Sequence, residues 1–404
     1  MNPIQPPNNN LPIQHTHERL RKRYLILSIA FLLLSIRQRG NHRHSHFMML
    51  IFSVYYFQKY RNYTHESYTA THHPYIHRWN EYDFQFKFKF LKNHVYPLMD
   101  CFKIERNEMI VISNTLRCHT EEAFLIMLYR MTRFTPLTDI EVDFGRSSDE
   151  INCIFNAMVT EVVARNHYLI FDNIAYFEPR FRMYNAKIRE RMLRDGYPLC
   201  AAALDTALFV DGTSLEVCRP GGAQAQVYNG HHSVHCLQFQ GCSAPDGMVV
   251  DFYGPLAGPR HDQLVYDTSL LNERLAACQV GNAVQYKAYV DKGCVAKTHI
   301  NIAYRGRDLP QQMVYENIAI SPHRVTSEWS FNKVGTEFNY VRNHRIQKIQ
   351  MFEIGKVYVL AALLANASTI LYGWGSNPYD CSPPTLGSYF GVPLYDVPSS
   401  RINA

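Results

Sequence analysis

Apolar residues in this chain keep three different rhythms. Near the start they form two runs interrupted only by serine, Tyr24–Ile36 and Phe47–Phe57, bordered by basic residues. From about Phe90 to Arg194 they recur at helical spacing. Thr120, followed by Glu121, Glu122 and the run AFLIMLYRM, reads as the N-cap of a helix. After Pro136–Phe144 and Gly145, Ser147 and Glu150 have capping-box spacing, and Ile151, Phe155, Met158 and Val162 form one apolar stripe. Helix, glycine turn, helix is the outline of a helix-turn-helix, and a structural helical pair fits equally.

Beyond Gly196 the rhythm shortens. Ala207–Val210 reads as a strand that ends at Asp211-Gly212-Thr213. Val234–Gln240 and Met248–Tyr253 flank the turn signal Pro245-Asp246-Gly247 and predict a hairpin. Asp262–Ala277 reads as a helix, Tyr286–Val290 as a strand ending at Asp291, and Ser321 to about Ile349 as a helix with Glu328 in its first turns. Val357–Trp374 contains Asn366, Ser368 and Thr369, which favours a buried core helix over a membrane span. Strands followed by alternating helix and strand point to an α/β domain with a mixed sheet. The expected organisation is a disordered tail at 1–18, a basic and apolar helical segment at 19–85, and a helical domain at 86–196. An α/β domain at 200–375 and an irregular tail at 376–404 follow.

Composition narrows the class. The 404 residues are 47% hydrophobic and 19% charged, which excludes a disordered or fibrous chain. A net charge of +6 permits nucleic acid as a partner without requiring it. The 10 cysteines include no CxxC pair, so a reduced, intracellular protein is expected. Both N-terminal apolar runs fall short of the roughly 20 residues a spanning helix needs. A membrane partner is therefore not expected. The cluster Arg19, Arg21, Lys22 and Arg23 reads equally as a nuclear import signal, a phosphate-binding arm or a solvated helix flank.

Candidate chemistry lies in two places. Arg180, Arg182, Lys187, Arg189, Arg191 and Arg194, interleaved with Phe181 and Tyr184, suit a nucleic-acid backbone with bases stacked beside it, or a solvated basic helix. Asp211 and Asp291 each end a strand, and Glu328 lies on a helix after Arg324. Such carboxylates meeting in one crevice are hard oxygen ligands for Mg²⁺ or Mn²⁺. Two ions there suit an in-line phosphoryl displacement. His231, His232, His235, Cys236 and Cys242 have no zinc-finger spacing, and a rim that contacts phosphate is the simpler expectation.

Several motifs then occur in order: Asp211-Gly212-Thr213, Pro220, Tyr228-Asn229 with His231 and His232, Pro245-Asp246-Gly247, Gly258 with His261-Asp262, Asp291-Lys292-Gly293-Cys294, and Arg324 with Glu328, Trp329 and Phe331. Together they resemble the nuclease domain of PIF/Harbinger-type DDE transposases, over about Leu208 to Leu364. Phe144-Gly145-Arg146-Ser147 resembles the helical segment that precedes it. Cys294 stands where that family has tyrosine. The resemblance implies an RNase H-like fold and a metal-dependent DNA endonuclease, with Asp211, Asp291 and Glu328 as catalytic, metal-binding acids. It places Asp262 near the site, either as an accessory metal acid or as a helix-start residue. His261, Lys292 and Arg324 join the basic helix as candidate DNA contacts. A nuclear location and a separate Myb-like DNA-binding partner are also implied, and a homo-oligomer is left open. The rival expectation is a transposase-derived nuclear factor that binds DNA or protein without cutting it.

Overall fold

The structure, a computed structural model, describes residues 75–395 apart from 115, 134–135, 231–232, 261, 292, 350–352 and 376. The expectations for the N-terminal runs and the basic cluster fall outside the described residues.

The first part is helical. Helix α1 (Glu81–Phe88) begins where the Asn80 side chain accepts from the Asp83 N–H, so the helical part starts inside the segment expected to end at 85. Next come α2 (Lys92–Cys101) and a small hairpin, β1 (Met109–Val111) and β2 (Arg117–His119). In α3 (Thr120–Thr132), every residue but Glu121 is buried. Thr120 does not act as its N-cap: the hydroxyl donates to the Glu105 carbonyl (2.7 Å) and so ties the helix to the preceding loop. Helix α4 (Leu137–Phe144) ends at Gly145 in a left-handed conformation. Helix α5 (Ser148–Asn166) starts in the expected capping box of Ser147 and Glu150, and its stripe Ile151, Phe155, Met158 and Val162 is buried. Arg146, between these helices, donates to both oxygens of buried Glu122 (2.8 and 2.9 Å), locking the turn onto α3. Helix α6 (Phe181–Arg194) leads into the sheet.

The sheet contains β3 (Thr206–Glu216), β4 (Tyr228–Asn229), β5 (Val234–Ser243), β6 (Val249–Ala257), β7 (Lys287–Val290) and β8 (Ile300–Ile302). Central β3 pairs antiparallel with β5 and parallel with β7; β7 pairs parallel with β8, and β6 pairs with β5 as the expected hairpin. This mixed sheet fits an RNase H-like nuclease domain. Strand β3 does not end at Asp211. Antiparallel β5 keeps it paired as far as Glu216, five residues beyond Asp211. Thr206–Val210 are all buried, so this segment reads as a continuous apolar run, while the remainder alternates.

Helices close over the sheet. The helix expected across Asp262–Ala277 is two, α7 (Asp262–Thr268) and α8 (Leu271–Cys278), broken where Leu270 takes a positive φ of 53°. Helix α9 (Gln311–Glu337) starts earlier and stops earlier than its pattern suggested, so Glu328 lies in its second half and not in its first turns. Helix α10 (Ile354–Tyr372) is long and apolar enough to cross a membrane, but it is largely buried, as a core helix is. Its Asn366 side chain accepts from the Val249 N–H and donates to the Val249 carbonyl, both at 2.8 Å, which satisfies an amide inside the core. The segment after 375 is not simply irregular. Thr385 caps a short helix, Leu386–Phe390, and Tyr389 and Phe390 are buried against the helical part. Apolar side chains of the helical part and of the sheet form one continuous core.

Candidate active site

Parallel pairing brings the two aspartates together. Phe209 on β3 is opposite Tyr289 on β7. Two residues further along each chain are Asp211 and Asp291, on the same face because side chains alternate with a period of two. Helix α9 crosses β3 and adds Glu328. Its close approach depends on Gly241, the β5 residue paired with Asp211. A Cβ at Gly241 would lie 1.9 Å from the Phe331 ring, one turn beyond Glu328. Phe331 is accordingly buried. Trp329, two residues earlier, is 43% exposed and meets Trp374 edge-on.

The three carboxylates meet at one cation. Arg324 Nη1 lies 3.6 Å from Asp211 Oδ1 and 3.7 Å from Asp291 Oδ1, and Nη2 lies 3.1 Å from Glu328 Oε1. Arg324 and Glu328 are one helical turn apart on α9, so the helix presents them together. The Gly212 N–H donates to Asp211 Oδ1 (3.0 Å) and the Gly293 N–H to Asp291 Oδ2 (3.1 Å), fixing both carboxyl groups. Burial pushes the Asp211 carboxyl up to about 6; Arg324 opposes this, while Glu328 and Asp291 add to it. A cavity of about 180 Å³ lies here, lined by Asp211, Gln240, Asp291, Cys294 and Arg324 among others.

A divalent cation suits this donor set in its chemistry: three hard carboxylate groups already gather around a positive charge. As placed, no three Asp, Glu, His or Cys side chains among the described residues stand close enough to share an ion. Arg324 fills the centre. Among the described residues no zinc candidate enters a metal group: Cys236 and Cys242 are buried, and His231 and His232 lie outside the described residues. Asp262 opens α7, but its side chain, like His261 and Lys292, lies outside the described residues.

The basic helix divides in two. Arg180 donates to the Tyr184 hydroxyl (2.9 Å) and to the Ser382 carbonyl, and lies 3.4 Å from Asp246. Arg191 pairs with Asp195 (3.3 Å) and covers the Tyr379 ring. Arg194 reaches the Pro378 carbonyl. The interleaved aromatics do not offer a stacking surface: Phe181 and Tyr184 share the buried face of α6 with Ile188 and Met192. Arg182 and Arg189 remain exposed, and Lys187 pairs with Glu190.

Two roles were not read from the sequence. Gly241 carries the signal that a glycine inside a strand often marks close approach of another element. Asp246 is wholly buried in the β5–β6 turn, where it accepts from the Tyr184 hydroxyl (2.5 Å) and from the Met248 N–H (3.1 Å). Its motif is therefore a clamp between the hairpin and α6.

No curated protein and no solved structure matches the chain. Residues 210–366, which contain Asp211, Asp291 and Glu328 together with Gly241 and Arg324, match the family model described as DDE superfamily endonuclease, and this supports a DDE transposase-like nuclease.

Proposed function

We propose that this protein is a metal-dependent DNA endonuclease of the PIF/Harbinger DDE transposase type, acting in the nucleus on DNA phosphodiester bonds by hydrolysis or strand transfer. The observation that carries the reading is the convergence of Asp211, Asp291 and Glu328 from three separate elements on one cation. Mg²⁺ or Mn²⁺ held by these acids, as a pair of ions, would activate a water or 3′-hydroxyl and neutralise charge on the leaving oxygen. The chain's own groups do the rest. Gly212 and Gly293 hold the two aspartates in orientation. Arg182 and Arg189, exposed on α6, would contact the DNA backbone. His261 and Lys292 beside the motif acids and Asp262 as an accessory acid belong to the same proposal, as does a Myb-like partner that chooses the DNA sequence.

The second reading, a transposase-derived factor that binds DNA or protein without cutting, is favoured by one observation: the arginine at the centre of the acids. Mn²⁺-dependent nicking of supercoiled plasmid decides between them. Glu328→Gln should lower nicking by orders of magnitude and leave the metal-free melting temperature unchanged or higher, since one of three clustered like charges is removed. Nicking that survives in this variant, together with a clear loss of stability, would overturn the nuclease reading for Glu328.

A further inference from the structure

We infer that Arg324 and a divalent cation compete for the same three carboxylates, so that the protein carries its own counter-ion and metal enters only as the guanidinium turns away. The inference rests on the reading of Asp211, Asp291 and Glu328 as metal ligands.

The geometry supplies the competition. Two nitrogens of one guanidinium lie 3.1–3.7 Å from an oxygen of each acid. A Mg²⁺ ion needs oxygens at roughly 2.0–2.1 Å in near-octahedral array, so it cannot share that centre with a planar guanidinium. The two cations also do the same electrostatic work. Three carboxylates drawn together by β3, β7 and α9 repel one another, and either cation relieves that repulsion. Ionised, the cluster has three negative charges against one positive, so the arginine compensates it only in part.

Arg324 has somewhere to go. A cavity of about 450 Å³ adjoins the centre, lined by Tyr289, Tyr304, Asn317 and Ser321 as well as by Asp291, Arg324 and a second arginine, Arg305, so an anion entering it would meet two guanidinium groups. A guanidinium leaving the carboxylates exchanges them most readily for another bidentate oxyanion. In a nuclease that anion is the phosphodiester beside the scissile bond. Arrival of DNA would then draw Arg324 off the acids and raise their affinity for metal.

Mn²⁺ titration of the full chain without DNA, followed by calorimetry and by the electron paramagnetic resonance signal of free Mn²⁺, tests the competition apart from any cutting. Arg324→Gln keeps a polar, helix-compatible side chain but is shorter and uncharged, and should bind Mn²⁺ roughly tenfold more tightly than the wild type or better. Arg324→Lys retains one charge on a narrower head and should show a smaller gain, which serves if the glutamine variant fails to fold. Adding Asp211→Asn to either variant should cancel the gain. Equal or weaker Mn²⁺ binding in the folded arginine variants overturns the inference, as does no binding in any of them. Tighter binding without plasmid nicking would leave the competition standing while the nuclease reading fell. Nicking by the wild type with no gain in the variants would do the reverse.

Discussion

Two aspartate–arginine clusters in this protein come from motifs of the same family resemblance, yet they are built for opposite ends. At the β5–β6 turn, wholly buried Asp246 has one arginine, one tyrosine hydroxyl and one backbone N–H for its oxygens. One negative charge meets one positive charge. At the sheet's centre, three acids surround Arg324, and the side chains of Asp291 and Glu328 are each 42% exposed. The charges do not balance and solvent reaches them. A saturated, buried pair tolerates no exchange of partners and holds elements together. An over-acidic, half-open cluster keeps a demand for another cation. Charge balance and access, more than residue type, separate a clamp from a cluster open to another cation.

The largest effect should come from breaking the clamp. Asp246→Ala leaves Arg180 and Tyr184 without their partner in the core and should destabilise the fold by about 3–5 kcal/mol in urea melts. The centre should answer differently to a single methyl group. Gly241→Ala drives a Cβ against the Phe331 ring and should cost about 1–3 kcal/mol, while displacing Glu328 and lowering nicking. Pairing it with Phe331→Leu should restore part of both, and a single variant with normal stability and nicking would show that Gly241 does not set the approach of α9.

A smaller effect sharpens the comparison through pH. The Asp211 carboxyl is raised in the folded protein from its usual 3.8 to about 6. A raised carboxyl contributes stability that is fully present below the unfolded value and is lost as pH rises through about 6. Asp211→Asn should therefore melt higher than the wild type at pH 8, by on the order of 2 kcal/mol, with the difference gone near pH 4. A lower melting point at pH 8 would mean that its pairing with Arg324 outweighs burial. The smallest effect concerns α6. Neutralising exposed Arg182 and Arg189 together should lower the salt slope of DNA binding by about 1–2 with stability kept, whereas Arg191→Gln should loosen its contact with Tyr379 and leave the slope alone.

The elements with strong local signals were legible in the sequence. The capping box at Ser147, the stripe of α5, the hairpin around Pro245-Asp246-Gly247 and the apolar α10 all depend on neighbours within a few residues. The failures share a cause. Strand β3 runs past Asp211 because β5, more than 20 residues away, continues to pair with it. Thr120 prefers a carbonyl from another loop to its own helix's N–H. Phe181 and Tyr184 turned inward because the α6 face they share was needed for the core, which a list of cations and aromatics does not reveal.

At the centre the same division holds. Motif order and residue type in the sequence alone were enough to nominate Asp211, Asp291, Glu328 and Arg324, because the charge of a side chain is fixed by residue type wherever it lies in the chain. Tertiary structure alone decided that they meet, through parallel register between β3 and β7 and through the space left at Gly241. It alone decided that Arg324 stands among all three acids and not beside Glu328 only, since distances between residues far apart in the chain are set by packing. It also turned Asp246 from one more acidic motif residue into a buried clamp, because burial is a property of the surroundings that no single residue carries.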